Sequence, residues 1–364
     1  FQRARIIGRR FKLVHVRFGR EVIEVATYRA KPNAKTHRAP GGRSPVATSG
    51  RVVDDNVFGT IEQDAARRDF TINSLYYDPR SERVMDFLGG IKDTRKKTLR
   101  MVGDARERFT EDPVRMLRAL RFRAKLGLEL EASLVPAIAD CRDAIAGVPA
   151  ARLYDEVLKM FHHGHALASW RELRRHHLLG ILFPLTTEAI DGDDGDAVGR
   201  LIEMALRNTD QRVRADKPVI APFLFAVLLW RPFLRELVRA RKSSSRAGAP
   251  GFAAADAVFA RQASRVAVPR RVSDAVMEIW TMQYELEERD GDAAPRLMAQ
   301  RRFRAAYDFL LLRQGIGEVD EALTRWWTQA QEDAPVRDAP PRARRDEADG
   351  GGASRRPRRG RRSR

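Results

Sequence analysis

The sequence predicts an α+β fold, with strands near its start and helices over most of the remainder. Three observations carry this reading. Residues 11–18 (FKLVHVRF) and 21–29 (EVIEVATYR) are rich in β-branched and aromatic residues and flank Gly19-Arg20, the pattern of a β-hairpin. From Glu111 onward, apolar residues recur at helical spacing almost throughout. Beyond Ala334, Pro, Gly and Arg dominate, the composition of a disordered tail.

Each element follows from local chemistry. Side chains alternate faces along the second strand, so Val22, Glu24 and Ala26 share one face, and Glu24 is an acid within an otherwise apolar run. Residues 30–57 hold Pro, Gly, Ser and Thr with little periodicity and form a long basic loop. Thr60 and Gln63 have the spacing of a capping box, which starts a helix near Ile61. A short strand at 83–87 leads into the turn Leu88-Gly89-Gly90. The clearest helices are expected over 111–126, 151–162, 200–208, 222–240, 271–288, 301–313 and 318–331, with loops at 190–198 and 242–252.

The chain has 364 residues, a formal net charge of +19 and one cysteine, Cys141. One cysteine excludes an internal disulfide framework and a Cys-rich zinc site. The longest apolar run, near 220–230, is shorter than the ~20 residues a membrane helix needs. No signal-peptide pattern opens the sequence, so a cytoplasmic protein without a membrane partner is expected. The charge is uneven. Residues 1–60 hold 13 Lys/Arg against 4 Asp/Glu, and residues 337–364 hold 11 Arg against 4 acids. The middle is nearly neutral, and basic ends of this kind attract a polyanion by steering and counterion release, or serve solubility.

Two segments are distinctive: 67–75 (RRDFTINSL) and 111–122 (EDPVRMLRALRF), with 86–93 (DFLGGIKD) between them. In this order and spacing they resemble the bacterial poly(A) polymerase and tRNA CCA-adding nucleotidyltransferase family. The closer likeness is to the poly(A) polymerases, and it extends through PARLYDEVLKM, the run from Phe303 to Asp308 and the Arg-rich tail. The resemblance implies a truncated mixed-sheet nucleotidyltransferase head at 1–90, a neck with nucleotide-selecting helices at 91–150, an all-α RNA-binding body at 151–335 and a basic tail at 336–364. It implies template-independent addition of AMP from ATP to RNA 3′ ends, on mRNA and other transcripts, with release of pyrophosphate and promotion of RNA decay. The alternatives are CCA addition to tRNA and a non-catalytic RNA-binding relative.

Residue chemistry fits that implication. On a helix, Asp112, Arg115, Arg118 and, less closely, Arg121 fall within one broad stripe. Adenine and cytosine both present an amino donor beside a ring-nitrogen acceptor. Asp112 accepting the amino hydrogen and Arg115 donating to the ring nitrogen would take A or C and reject G or U. Arg118 and Arg121 would reach the triphosphate or hold the helix. The plainer alternative is a solvated face with ordinary ion pairs, such as Glu111 with Arg115. The resemblance further implies Arg68 on phosphate, Asp69 as a catalytic or site-organising acid and Asn73 near sugar and phosphate; Asp69 could also cap the next helix. The tail arginines Arg355, Arg356, Arg358 and Arg359 are expected on RNA.

Nucleotidyl transfer calls for two magnesium ions (Mg2+) held by carboxylates. The family's main pair comes from an Asp-x-Asp motif on an early strand, behind a Gly-Gly-x-x-Arg-Asp loop, and neither stands among the early strands here. The expectation is that these lie upstream of Phe1, that Glu24 is a third metal carboxylate or an exposed edge-strand acid, and that these 364 residues do not catalyse alone. Other features are read as structural. His162, His163 and His165 lack a matching acid spacing for a metal. Trp230, Trp280, Trp326 and Trp327 are expected in the core. The acidic run at 191–196 lacks calcium-ligand spacing.

Overall fold

The computed structural model describes residues 4–7, 13–19, 21–30, 57–243 and 250–333. The 30–57 loop and the Arg-rich tail expected from the sequence therefore lie almost wholly or wholly outside the described residues, as do Arg355, Arg356, Arg358 and Arg359.

The chain opens with a three-stranded antiparallel sheet in the order β1 (Ala4–Ile7), β2 (Leu13–Phe18), β3 (Glu21–Val25). The expected hairpin is present: Phe18 pairs with Glu21 and Val14 with Val25. Gly19 supplies the positive φ, +59°, that this turn needs. Val22, Ile23 and Val25 remain about half exposed on the edge strand.

Helix α1 (Ile61–Arg67) begins at the expected capping box: Thr60 Oγ accepts the Gln63 N–H, and Gln63 Oε1 accepts the Thr60 N–H. The chain then bends through Arg68 and Asp69 into a 3-10 turn, Thr71–Asn73. A hairpin of β4 (Leu75–Asp78) and β5 (Arg83–Asp86) leads to α2 (Gly90–Arg95). Asp86 accepts the N–H groups of Leu88, Gly90 and Ile91 and so seats the first turn of α2. Gly90 packs directly on the 3-10 turn, where a Cβ would stand 2.3 Å from the Thr71 carbonyl oxygen.

From there the fold is helical apart from one short parallel pair, β6 (Thr98–Leu99) with β7 (Glu129–Leu130). Helices α3 (Ala105–Glu111) and α4 (Val114–Leu126) replace the single helix expected over 111–126. Pro113 is the cause: its ring disfavours helical geometry at Asp112, whose ψ is 94°. Then come α5 (Leu134–Cys141), α6 (Ala150–Phe161), α7 (Ala166–Arg175), α8 (Leu179–Leu182), α9 (Pro184–Ile190) and α10 (Gly195–Arg214). The early start of α10 shortens the loop expected at 190–198. The last seven are α11 (Ala221–Leu228), α12 (Trp230–Ser243), α13 (Pro250–Ala263), α14 (Arg270–Glu287), α15 (Ala294–Met298), α16 (Phe303–Gly315) and α17 (Glu321–Asp333).

One connected set of buried apolar side chains runs from Phe70 to Trp327. The tryptophans belong to it, as their helical spacing suggested. Trp230, Trp280 and Trp327 are fully enclosed, and each indole N–H finds an acceptor: Glu318, the Ala226 carbonyl and the Leu286 carbonyl. Trp326 packs against the same set, partly buried. No helix among the described residues is long and apolar enough to cross a membrane.

Candidate nucleotide cleft

The bend after α1 is held from below by Arg108. This residue is almost fully buried, and its Nη2 donates to the carbonyls of Arg67 and Arg68, both at 2.7 Å. Its Nη1 donates to Glu111 at 2.6 Å. The guanidinium thus fixes the chain just before Asp69 and ties it to α3. A second anchor is Asp93 on α2, 3% exposed at its side chain, which accepts from Thr71 Oγ1 at 2.8 Å and from Arg100. Burial alone would raise the Asp93 carboxyl, but Arg100 and Thr71 outweigh it and hold it below the ordinary value. Asp64 is the third. It accepts from the Arg29 N–H, Arg68 and the Tyr76 hydroxyl, which outweigh burial and hold it low. Burial, together with this bond to Asp64, pushes the Tyr76 phenol up to about 12.

These anchors present Asp69 to α4. Arg118 donates through Nε and Nη2 to one Asp69 oxygen, both at 2.6 Å. The other oxygen accepts from the Phe70 N–H and Asn73 Nδ2, each at 2.9 Å. Every face of this carboxylate is engaged, the geometry of a residue that organises its neighbours.

Asp112 stands at the joint between α3 and α4, one turn before Arg115. Arg152 of α6 grips it with two parallel bonds, Nη1 to Oδ1 at 2.9 Å and Nη2 to Oδ2 at 2.7 Å. Arg115 donates to the Arg108 carbonyl at 2.8 Å and to Glu111 at 3.0 Å, the ion pair visible in the sequence.

Arg68, Asp69, Asn73, Asp112, Arg115 and Arg118 line a single cleft of about 620 Å³. Segments separated by some 40 residues therefore meet at one place. Phe122 forms part of the wall, and α6 adds Arg152, Asp155, Glu156 and Lys159. Two candidates lie elsewhere. Arg121 does not line the cleft; it lies over the Phe122 ring with Glu156 3.6 Å away. Glu24 is exposed on β3, its carboxylate 3.0 Å from His15 Nε2.

The carboxylate arrangement bears on a metal. Among the described residues no group of three or more His, Cys, Asp or Glu side chains could hold an ion. Asp69 is saturated by donors and Glu24 stands apart, so the residues described do not fit a magnesium site. Of the clustered histidines, burial pushes His162 down to about 4, and His165 is buried with its Nδ1 3.0 Å from the His163 carbonyl oxygen.

Comparison with known proteins gives this cleft its setting. Three family models match: the Poly A polymerase head domain over residues 1–100, the probable RNA and SrmB-binding site of polymerase A over 127–190 and the polymerase A arginine-rich C-terminus over 248–364. The chain is 38% identical over 339 residues to poly(A) polymerase I of Salmonella typhi, covering 92% of this chain and 72% of that one. The chain belongs to the poly(A) polymerase I family. It is thus a nucleotidyltransferase chain, of a family acting on RNA 3′ ends. A CCA-adding enzyme of Oceanobacillus iheyensis is 35% identical over 165 residues, 45% of this chain and 38% of that one. A tRNA nucleotidyltransferase solved with a primer tRNA and an incoming ATP analog shares the fold, with a TM-score of 0.56 at 17% identity over 90% of this chain and 84% of that one.

Within this poly(A) polymerase family member, sequence reasoning missed Arg152, Lys159, Arg108 and Asp93. A signal existed for the first two: Arg152, Asp155, Glu156 and Lys159 recur at helical spacing within PARLYDEVLKM. Asp93 stands in the DFLGGIKD motif, which gave it no role, and no signal existed for Arg108, whose partners are distant backbone.

Proposed function

We propose that the cleft takes ATP and that the enzyme adds AMP to RNA 3′ ends without a template, releasing pyrophosphate. The observation that carries this reading is the meeting of Asp112 and Arg115 with Arg68, Asn73 and Arg118 around one cavity. Asp112 accepts the adenine amino hydrogen on lone pairs that Arg152 leaves free, and Arg115 donates to the adjacent ring nitrogen. Arg68 and Arg118 face the triphosphate. Arg152 holds the reading carboxylate in one orientation before the base arrives. Asp69 and Asn73 keep Arg118 and the 3-10 turn in register.

CTP offers the same donor–acceptor edge, so this pair alone does not separate A from C. The preference for ATP rests on extent of likeness, which spans 72% of a poly(A) polymerase I but only 38% of a CCA-adding enzyme. Magnesium is the metal this chemistry calls for, and the described residues furnish no ligand set for it. The substrates in this reading are cytoplasmic mRNA and other transcripts, marked for decay by the added tail.

The test is incorporation by the full-length parent protein on an unstructured RNA and on tRNA, with ATP alone, CTP alone and both. The reading expects long A tracts on both RNAs from ATP alone. Addition restricted to tRNA and dependent on CTP would favour CCA addition. RNA binding with no incorporation of any nucleotide would favour a non-catalytic role.

A further inference from the structure

A groove of about 770 Å³ runs between α13 and α14 and shares no lining residue with the nucleotide cleft. Its walls are one stripe of each helix. Phe252, Asp256 and Phe259 recur at helical spacing along α13, and Met277, Glu278 and Glu285 along α14. Phe252 is 65% exposed. Phe259 and Met277 are partly buried, and the Phe259 ring stacks on the enclosed Trp280. Aromatic walls of this kind accept prolines and the flat faces of guanidinium groups.

The charge of the groove opposes that of the chain. Four carboxylates and a single guanidinium, Arg270, line it, in a protein of net charge +19. Arg270 is taken by Asp274 at 2.8 Å, and Glu278 lies 3.3 Å from Arg302. The carboxylates of Asp256 and Glu285 have no ion-pair or hydrogen-bond partner among the described residues. A lining of this sign repels a nucleic-acid strand. Nor does it gather into a metal site, since no group of three or more acids among the described residues could hold an ion. Carboxylates spread along an apolar trough suit an extended cationic peptide.

The chain carries such a peptide next to the groove. Residues 335–345 read PVRDAPPRARR, with four arginines, one acid and the pair Pro340-Pro341. Asp320, just before α17, lies 3.9 Å from Arg289, beyond the end of α14. Trp327, further along α17, donates to the Leu286 carbonyl and packs on Phe303, the neighbour of Arg302. Helix α17 thus runs back along α14 toward Arg302 and Glu278 and ends at Asp333, directly before this segment. The α14 wall from Arg270 to Glu285 is roughly 22 Å long, and eleven residues of polyproline helix span about 34 Å. We infer that the groove docks the chain's own segment 335–345, with Pro340 and Pro341 against Phe252 and Met277 and the arginines against Asp256 and Glu285. Tethering holds the segment at an effective concentration on the order of millimolar, so a weak site suffices. The docked segment fixes the place from which Arg355, Arg356, Arg358 and Arg359 leave the body.

The experiment uses the full chain with Cys141→Ser, Ala260→Cys in the groove and Ala343→Cys in the segment. A short bismaleimide joins the two cysteines, mass spectrometry reads the rate, and ATP binding measured in parallel checks the fold. A cross-link within one chain is expected. Its rate should fall roughly tenfold in Asp256→Lys/Glu285→Lys and in Phe252→Ser, with ATP bound as before, and should fall with added salt. Charge reversal in the segment, Arg342→Glu/Arg344→Glu, should give the same loss and keeps the test open if a groove variant does not fold. A rate indifferent to these variants would overturn the docking. Cross-linking of Ser363→Cys as fast as that of Ala343→Cys would overturn the choice of segment. Cross-links formed between two chains would overturn occupancy by the chain's own segment.

Discussion

Arg152 and Asp112, 40 residues apart in sequence, form a two-bond fork across the mouth of the nucleotide cleft. The pair is partly exposed, so its contribution to stability is small, and its effect is on the orientation of the Asp112 carboxylate. Arg152→Ala should shift unfolding by less than about 1 kcal/mol while weakening ATP binding and discrimination against GTP. Calorimetric titration with both nucleotides checks this. A large stability loss with unaltered discrimination would assign Arg152 to folding alone.

Arg108 is the reverse case. It is buried, and its loss leaves the Arg67 and Arg68 carbonyls without their donor. Arg108→Ala is expected to cost about 3 kcal/mol or more, since a buried charge network loses its centre. Urea unfolding measures it, and a change below about 1 kcal/mol would contradict the anchoring role.

Gly90→Ala should also destabilise. The added Cβ meets the Thr71 carbonyl oxygen at 2.3 Å and its carbon at 3.0 Å, backbone that cannot swing aside as the end of the nearby Leu75 side chain could. A loss of roughly 1–3 kcal/mol is expected, with ATP affinity falling because the turn carrying Asn73 moves. A neutral Gly90→Ala would mean that α2 does not support that turn.

His162 gives a pH dependence with a defined sign. Its folded pKa is pushed from 6.5 down to about 4 by burial, with the neighbouring His163 adding to the shift. The unfolded chain therefore binds the proton first, and this contribution to stability is present above pH 6.5 and lost as pH falls toward 4. Thermal melts between these limits should slope less steeply for His162→Gln than for the wild type. Parallel slopes would show that His162 protonates equally in both states.

The fold was legible in the sequence where its causes are local. Thr60 and Gln63 announced α1, Gly19 announced the hairpin, and the spacing of Trp230, Trp280 and Trp327 announced the core. Arg68, Asp69 and Asn73 were legible as one group because six residues contain them, and Arg115 and Arg118 because one helix face does. Arg152 escaped because its meaning lies in a partner 40 residues away. Arg108 escaped because a buried charge bound to distant backbone leaves no periodic trace, and Asp93 was visible within DFLGGIKD without its partners Thr71 and Arg100. Arg121 was expected on the triphosphate or holding the helix, and its contacts with Phe122 and Glu156 are those of the second role. Asp112 was assigned to a helix that Pro113 breaks, and that break leaves it at the joint where Arg152 reaches it.

The central claim is that Asp112 reads the base, and competitive binding of ATP, CTP, GTP and UTP to the wild-type chain and to Asp112→Ala tests it most directly. The account predicts that wild type holds ATP about tenfold or more over GTP and UTP, in line with ~1–3 kcal/mol for a two-point base contact, and that Asp112→Ala brings the four nucleotides within about threefold of one another. Equal binding of all four by the wild type, or undiminished selectivity in Asp112→Ala, would contradict it.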